Sequence, residues 1–392
     1  MLKRLGLLVL ISLMLTVSVM AHEIPDGAVD FEKSEQCATC HQLIYNEWKQ
    51  SFHSMASLHK DKAHEAAYKN YAAFMKKNEK SAGYPCGNCH TPMADNLKDL
   101  ISGKAIPDSD KWKETDGVGC SFCHRVEAAI FDGGQNFYRL NKDGAVTIGT
   151  ISAMTPHSTT VSKAFLKNDI CTGCHRNMAV SAQEPGCVMG NMQMTGAAEI
   201  VEGRQTCMQC HMGAVDGASS TESKKSSHAS HLMMGGHDTK VLAKAVKLDA
   251  RVDANNLIVD IQSNIPHNFP STNPMRMAFL KVTAKDEGGN VLWSNFKESP
   301  MEDKKGLFMM AFKKGEQVGV PAWVADNIAF DKRITGKEKR SIEYKLPSDG
   351  IKSVTVELYY RFFAPAAIKN LEIPQDGVNE KNHLVLTKEI RL

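Results

Sequence analysis

Ten of the eleven cysteines fall in five copies of one pattern: Cys37-Ala-Thr-Cys40-His41, Cys86-Gly-Asn-Cys89-His90, Cys120-Ser-Phe-Cys123-His124, Cys171-Thr-Gly-Cys174-His175 and Cys207-Met-Gln-Cys210-His211. Two thiols separated by two residues match the spacing of the two vinyl groups of a porphyrin. The histidine that follows then lies under the iron and supplies a nitrogen ligand. A disulfide framework requires no histidine after each pair. Zinc sites built from paired cysteines couple CxxC units without an adjoining histidine. The pattern therefore predicts five covalently attached c-type haems (heme c, iron). Their thioethers are Cys37 and Cys40, Cys86 and Cys89, Cys120 and Cys123, Cys171 and Cys174, and Cys207 and Cys210, with His41, His90, His124, His175 and His211 as proximal ligands. Cys187, in Pro-Gly-Cys-Val, has no partner and reads as a buried thiol.

Each iron has a sixth position. A second imidazole there gives a low-spin centre that reorganises little between oxidation states, as electron transfer needs, whereas an open position suits catalysis. The sequence has 15 histidines, so the supply exceeds the demand. The distal candidates are His53, His59, His157, His231 and His237, with His64, His228 and His267 as alternatives, and His22 and His383 read as ordinary residues. The 20 methionines are treated as gap-fillers of an irregular core rather than as ligands.

These residues must be held by short elements, because five motifs between residues 37 and 211 leave too little chain to give each haem its own domain. The cofactors must form much of the core, closely stacked or edge-touching. After the first motif, His41, Tyr45, Trp48 and Phe52 recur at helical spacing and predict an aromatic stripe packed on haem. A second helix is expected over Ser57 to Lys77, with His59, Ala63, Ala67, Tyr71 and Phe74 on one face. Gly213 to Ser230 reads as a surface loop.

From about Lys240 cysteine disappears and alternating, β-branched runs take over: Ala245 to Val252, Leu257 to Gln262, Met277 to Ala284, Val291 to Phe296, Ser341 to Leu346, Val354 to Phe362 and His383 to Ile390. The fold class expected is α+β: a mainly α-helical, loop-rich multihaem N-terminal domain at 22–239, followed by an antiparallel, immunoglobulin-like β-sandwich at 240–392. Residues 1–21 have the form of a signal peptide, with Lys3 and Arg4 before the apolar Leu5 to Val19 and a small-residue site at Ala21. The alternative for this segment is an uncleaved membrane anchor. Removing Lys3 and Arg4 lowers the formal net charge from +3 to +1, and ten haem propionates would make the molecule acidic, so nucleic acid is not an expected partner. The mature chain is expected to be exported and periplasmic, or at the cell surface, with no membrane span after cleavage.

Cys37-Ala-Thr-Cys40-His41 followed by Tyr45, Trp48, Ser51 and His53 resembles the opening of multihaem cytochromes related to the tetrahaem electron carriers of ammonia oxidisers. That resemblance implies a distal role for His53 and for His157 in Pro156-His157-Ser158. The glycine-containing His231 to His237 segment, and Asn264-Ile-Pro-His267-Asn-Phe-Pro270 ahead of the strands, resemble bacterial periplasmic multihaem cytochromes with a C-terminal sandwich. The function expected is electron transfer in a respiratory chain, with a quinol-oxidising membrane complex, a terminal reductase or other cytochromes as redox partners. The alternative is an oxidoreductase acting on a small nitrogen or sulfur compound at one open iron. A third reading is a docking or conductive subunit that oligomerises through the β domain.

Overall fold

The structure, a computed structural model, describes residues 29–132, 135–149, 155–166, 168–175, 206–271, 274–347 and 349–392. The expected leader at 1–21, His22 and Cys187 lie outside the described residues.

Each Cys-X-X-Cys-His motif is one turn of helix. The amide of the motif histidine donates to the carbonyl of the first cysteine in four of them: His41 to Cys37 at 2.9 Å, His90 to Cys86 at 3.0 Å, His124 to Cys120 at 3.0 Å and His175 to Cys171 at 2.9 Å. The fifth is the helix Cys207–His211, opened by a capping box between Thr206 and Gln209. Residues i, i+3 and i+4 share one helix face, so a single turn aims both thiols and the imidazole the same way.

The longer N-terminal helices are Gln42–Gln50 and Lys62–Lys77. The second starts later than the Ser57 expected from periodicity, because the Asp61 carboxylate caps it, accepting from the amides of Ala63 (2.9 Å) and His64 (3.1 Å). His59 therefore sits in the turn before the helix and His64 in its first turn. The first helix ends at Gln50, which leaves His53 in the following turn. Antiparallel strands Val126–Asp132 and Gln135–Leu140 and a parallel pair, Val146–Ile148 with Thr159–Val161, complete the middle of the region. Gly213 to Ser230, expected to be loop, is pinned at its ends by pairing of Ala214–Asp216 with Ser227–Ala229. The apolar clusters here are small: one around Phe31, Met93, Phe122, Val126 and Tyr138, another around Leu58, Tyr84 and Leu100.

The C-terminal region has one large core between two antiparallel sheets. One sheet runs Val291–Ser294, Met277–Lys285, Ser353–Arg361, His383–Arg391, with Leu307–Phe308 also on Met277–Lys285; the other runs Lys339–Lys345, Asn256–Ser263, Val246–Asp253. Alternation sets the inner faces: Leu257, Val259 and Ile261 from one sheet meet Leu280, Val282, Val354, Val356 and Leu358 from the other, all at most 1% exposed. The molecule is α+β as its sequence predicts. Three features there escape the alternation rule. Met310–Lys314 pairs with Gln317–Val318 and Asn327–Asp331 in a further sheet, and Pro365–Leu371 is a helix with proline in its first turn. The run Leu307-Phe-Met-Met-Ala-Phe312 is buried at every position, so it carries no period of two. The helix Pro365–Leu371 packs Ile368 and Leu371 against Ala63, Ala66 and Ala67 of helix Lys62–Lys77, which joins the two halves of the chain.

Candidate functional site

All five motif histidines line one continuous, largely apolar cavity of about 1770 Å³. Four of them face a second histidine across it. The ring centres are 6.3 Å apart for His41 and His157, 6.5 Å for His124 and His231, 6.0 Å for His175 and His53, and 6.4 Å for His211 and His267. A metal–imidazole bond of about 2 Å, with roughly 1 Å from nitrogen to ring centre, puts two imidazoles on opposite sides of one iron about 6 Å apart. The four observed spacings agree with that sharing.

The orientation of the rings is also fixed. A carbonyl only accepts, so an imidazole nitrogen in contact with one must carry the proton and donate. Nδ1–H of His41 donates to Ser219 (2.6 Å), that of His90 to Ala56 (2.6 Å), that of His124 to Thr147 (2.9 Å) and that of His211 to Met234 (2.6 Å). Among the opposing rings, Nδ1–H of His231 donates to Ala229 at 2.8 Å and that of His267 to Asn268 at 3.1 Å. In each case Nε2 keeps its lone pair, the state a metal requires. Burial holds the His53, His124 and His267 imidazoles down at about 4 and His175 at about 3, with neighbouring imidazoles adding to the effect at His53 and His175. Unprotonated rings at neutral pH follow.

Each opposing histidine is placed by its own element. Reciprocal backbone hydrogen bonds between Phe269 and Ile334 (2.8 and 2.9 Å) anchor the segment carrying His267 to the C-terminal domain. The His231 amide donates to Glu47 of helix Gln42–Gln50 at 2.7 Å. The same carboxylate lies 3.2 Å from Nε2 of His228, whose Nδ1–H donates to Gly217. His228 is thus a buried support of the loop.

The remaining candidates stand elsewhere. His64 stacks on His90 with ring centres 4.0 Å apart, too close for an intervening iron, and its Nε2 lies 3.0 Å from the Tyr84 hydroxyl. His59 has a buried Nε2, and no ring contact joins it to a motif histidine among the described residues. His237 stacks on Phe52 at 3.5 Å, and its Nε2 accepts from Arg276 at 3.2 Å. Sequence reasoning missed the roles of Glu47 and Arg276, since nothing local marks either residue.

The motifs touch one another out of sequence order. The thiols of Cys37 and Cys120 lie beside one another, as do those of Cys171 and Cys207. Cys123 and Cys174 pack on one apolar cluster. Behind the first contact is a buried relay: the Ser34 hydroxyl donates to Asp116 (2.7 Å) and accepts from the Cys120 amide (3.1 Å). Among the described residues no disulfide joins the motif cysteines.

Thiols on one face of a helical turn, tautomer-fixed imidazoles and opposed rings at a metal-sharing distance are the donor set a c-type haem needs, and the residues present fit it. The class is thereby defined: a multihaem c-type cytochrome with a C-terminal β domain, whose role is electron transfer. In keeping with it, residues 36–125 match the family model described as Cytochrome c554 and c-prime. The fold is similar to the crystal structure of a penta-heme cytochrome c552 from Thermochromatium tepidum, with a TM-score of 0.73 and 23% sequence identity over 92% of this chain and 99% of that one. A hypothetical protein from Pyrococcus horikoshii OT3, at 10% identity over 38% of this chain and 85% of that one, has a TM-score of 0.17 and carries no structural argument. No curated protein matches the sequence. Among the described residues no helix is long and apolar enough to cross a membrane.

Proposed function

We propose that this chain is an exported, periplasmic electron carrier that holds five c-type haems, one on each motif. His157, His231, His53 and His267 serve as the sixth ligands of the first, third, fourth and fifth. The observation that carries this reading is the set of four opposed imidazole pairs at 6.0–6.5 Å. When bound, haem iron supplies a site that takes up and releases one electron. The polypeptide binds it through paired thiols, presents Nε2 on both sides, and keeps water away with apolar walls. Contacts between motifs order the sites as first, third, fourth, fifth, a continuous route. The basic n-region and apolar stretch of residues 1–21 support export, and redox partners such as a quinol-oxidising membrane complex, a terminal reductase or other cytochromes would meet the ends of that route. Intact mass of the natively exported protein should show five added haems and loss of the leader. EPR of the oxidised form should be dominated by low-spin signals. Fewer than five haem masses, or mostly high-spin iron, would overturn the reading.

The competing reading, an oxidoreductase for a small nitrogen or sulfur compound, has one place to act. At the second motif no described histidine opposes His90 at a metal-sharing distance. A high-spin signal that shifts and turns over on adding nitrite or hydroxylamine would favour it.

A further inference from the structure

Beside the main cavity lies a smaller one of about 210 Å³, at the seam between the two halves of the chain. The N-terminal side contributes His64, Cys86 and His90, and the C-terminal domain contributes Met309, Phe312 and Trp323. It adjoins the second motif, whose His90 also lines the main cavity. No lysine or arginine lines it, and its one carboxylate, that of Asp61, is committed to the amides of Ala63 and His64. The side-chain N–H donors on its wall are nearly all committed: the His64 ring contacts the Tyr84 hydroxyl, and Asn370 donates to the Gly319 carbonyl at 3.1 Å. Trp323 is the exception. Its ring meets Tyr71 edge-on at 5.9 Å, and its Nε1 is buried without an acceptor among the described residues.

A buried indole N–H with no acceptor is costly, and folded chains nearly always satisfy such a group. Satisfaction here comes from outside the described residues. A haem on Cys86 and Cys89 brings strong acceptors of one kind, its propionate carboxylates, because iron occupies the porphyrin nitrogens. A carboxylate entering a cavity with no cation depends on neutral donors to hold it. We propose that Trp323 donates its indole N–H to a propionate of the haem at the second motif, so that the C-terminal β domain forms part of that haem's binding site. The inference rests on the reading of five attached haems given above.

The test compares wild type with W323F, which keeps an aromatic ring and loses only the donor. Haem content and melting temperature establish that W323F is folded and loaded. In spectroelectrochemical titration, about one fifth of the haem absorbance change should move to lower potential while the rest is unmoved, because an unheld carboxylate stabilises the oxidised iron. One propionate-bending band in the resonance Raman spectrum should shift with it. W323H, which restores a donor, should return the potential towards wild type. Five haems with all potentials and Raman bands unchanged in W323F would overturn this inference alone, whereas absence of haem from the second motif of wild type would sink the reading beneath it. Should W323F not fold, the Trp323 indole N–H of 15N-labelled wild type decides: protection from exchange with a hyperfine shift supports the bond, and free exchange overturns it.

Discussion

At the scale of single residues, the pairing of rings makes a selective prediction. In His267→Ala, the haem opposed to His211 loses its proposed sixth ligand, and about one quarter of the low-spin EPR intensity, one of four paired sites, should convert to high spin. His59→Ala and His237→Ala should leave that intensity in place, because neither ring faces a motif histidine across a metal-sharing gap. The reverse pattern would show the pairing to be wrong. A second prediction concerns Gly173, between the two cysteines of the fourth motif. A Cβ added there would lie 2.0 Å from the Tyr138 ring, whose hydroxyl donates to Ile170 at 3.1 Å and lies 3.5 Å from Cys174 Sγ. Gly173→Ala should therefore cost about 1–3 kcal/mol in chemical denaturation, by forced overpacking, and lower haem occupancy at that motif. An unchanged midpoint would mean that the ring can move aside. The proposed attachment residues were legible in the sequence because they are local: i, i+3 and i+4 of one turn. The proposed sixth ligands are not local. His157 closes on His41 and His53 on His175 from distant parts of the chain, and no spacing rule links them, which is why the sequence alone puts His59 and His237 ahead of His267.

At the scale of elements, the first and third motifs are aligned by a buried relay rather than by a shared helix. The Asp116 carboxylate accepts from both the amide (3.1 Å) and the hydroxyl (2.7 Å) of Ser34, which in turn accepts from the Cys120 amide. Asp116→Ala should cost about 1–3 kcal/mol, the penalty for stranding buried donors. It should also slow electron exchange between the first and third haems, read by stopped-flow reduction; wild-type stability and kinetics in the variant would remove the relay from the account. Elements with a solvent face were readable: the strands around Leu257 to Ile261 and Val354 to Tyr360 alternate buried and open positions as their residues alternate in polarity. Met310–Lys314 was not readable, because Leu307 to Phe312 is apolar throughout and carries no period. The start of helix Lys62–Lys77 was misplaced for a different reason: the apolar positions continue back to His59, and only the capping carboxylate of Asp61 marks the boundary.

At the scale of the whole molecule, the two halves are stabilised by different means. The C-terminal domain encloses one large core of fully buried aliphatic side chains. The N-terminal region divides its apolar residues among small clusters around a cavity of about 1770 Å³, so much of its interior must be cofactor. Burial of apolar surface is the main favourable term in folding. A chain made without haem, for instance in a cytoplasm lacking the attachment machinery, should then keep its strands and lose its N-terminal order. Limited proteolysis of that material should leave a resistant fragment beginning near residue 240, with strand-type far-UV circular dichroism, while the haem-loaded protein resists cleavage along its length. The seam adds a sharper expectation. Because the C-terminal domain supplies His267 to the main cavity and packs Ile368 and Leu371 on Ala63, loading with haem should raise the melting temperature of both halves together. A loaded protein that melted in two separate steps, with the strands unaffected by haem, would show that the domain is an appendage rather than a wall of the electron-transfer site.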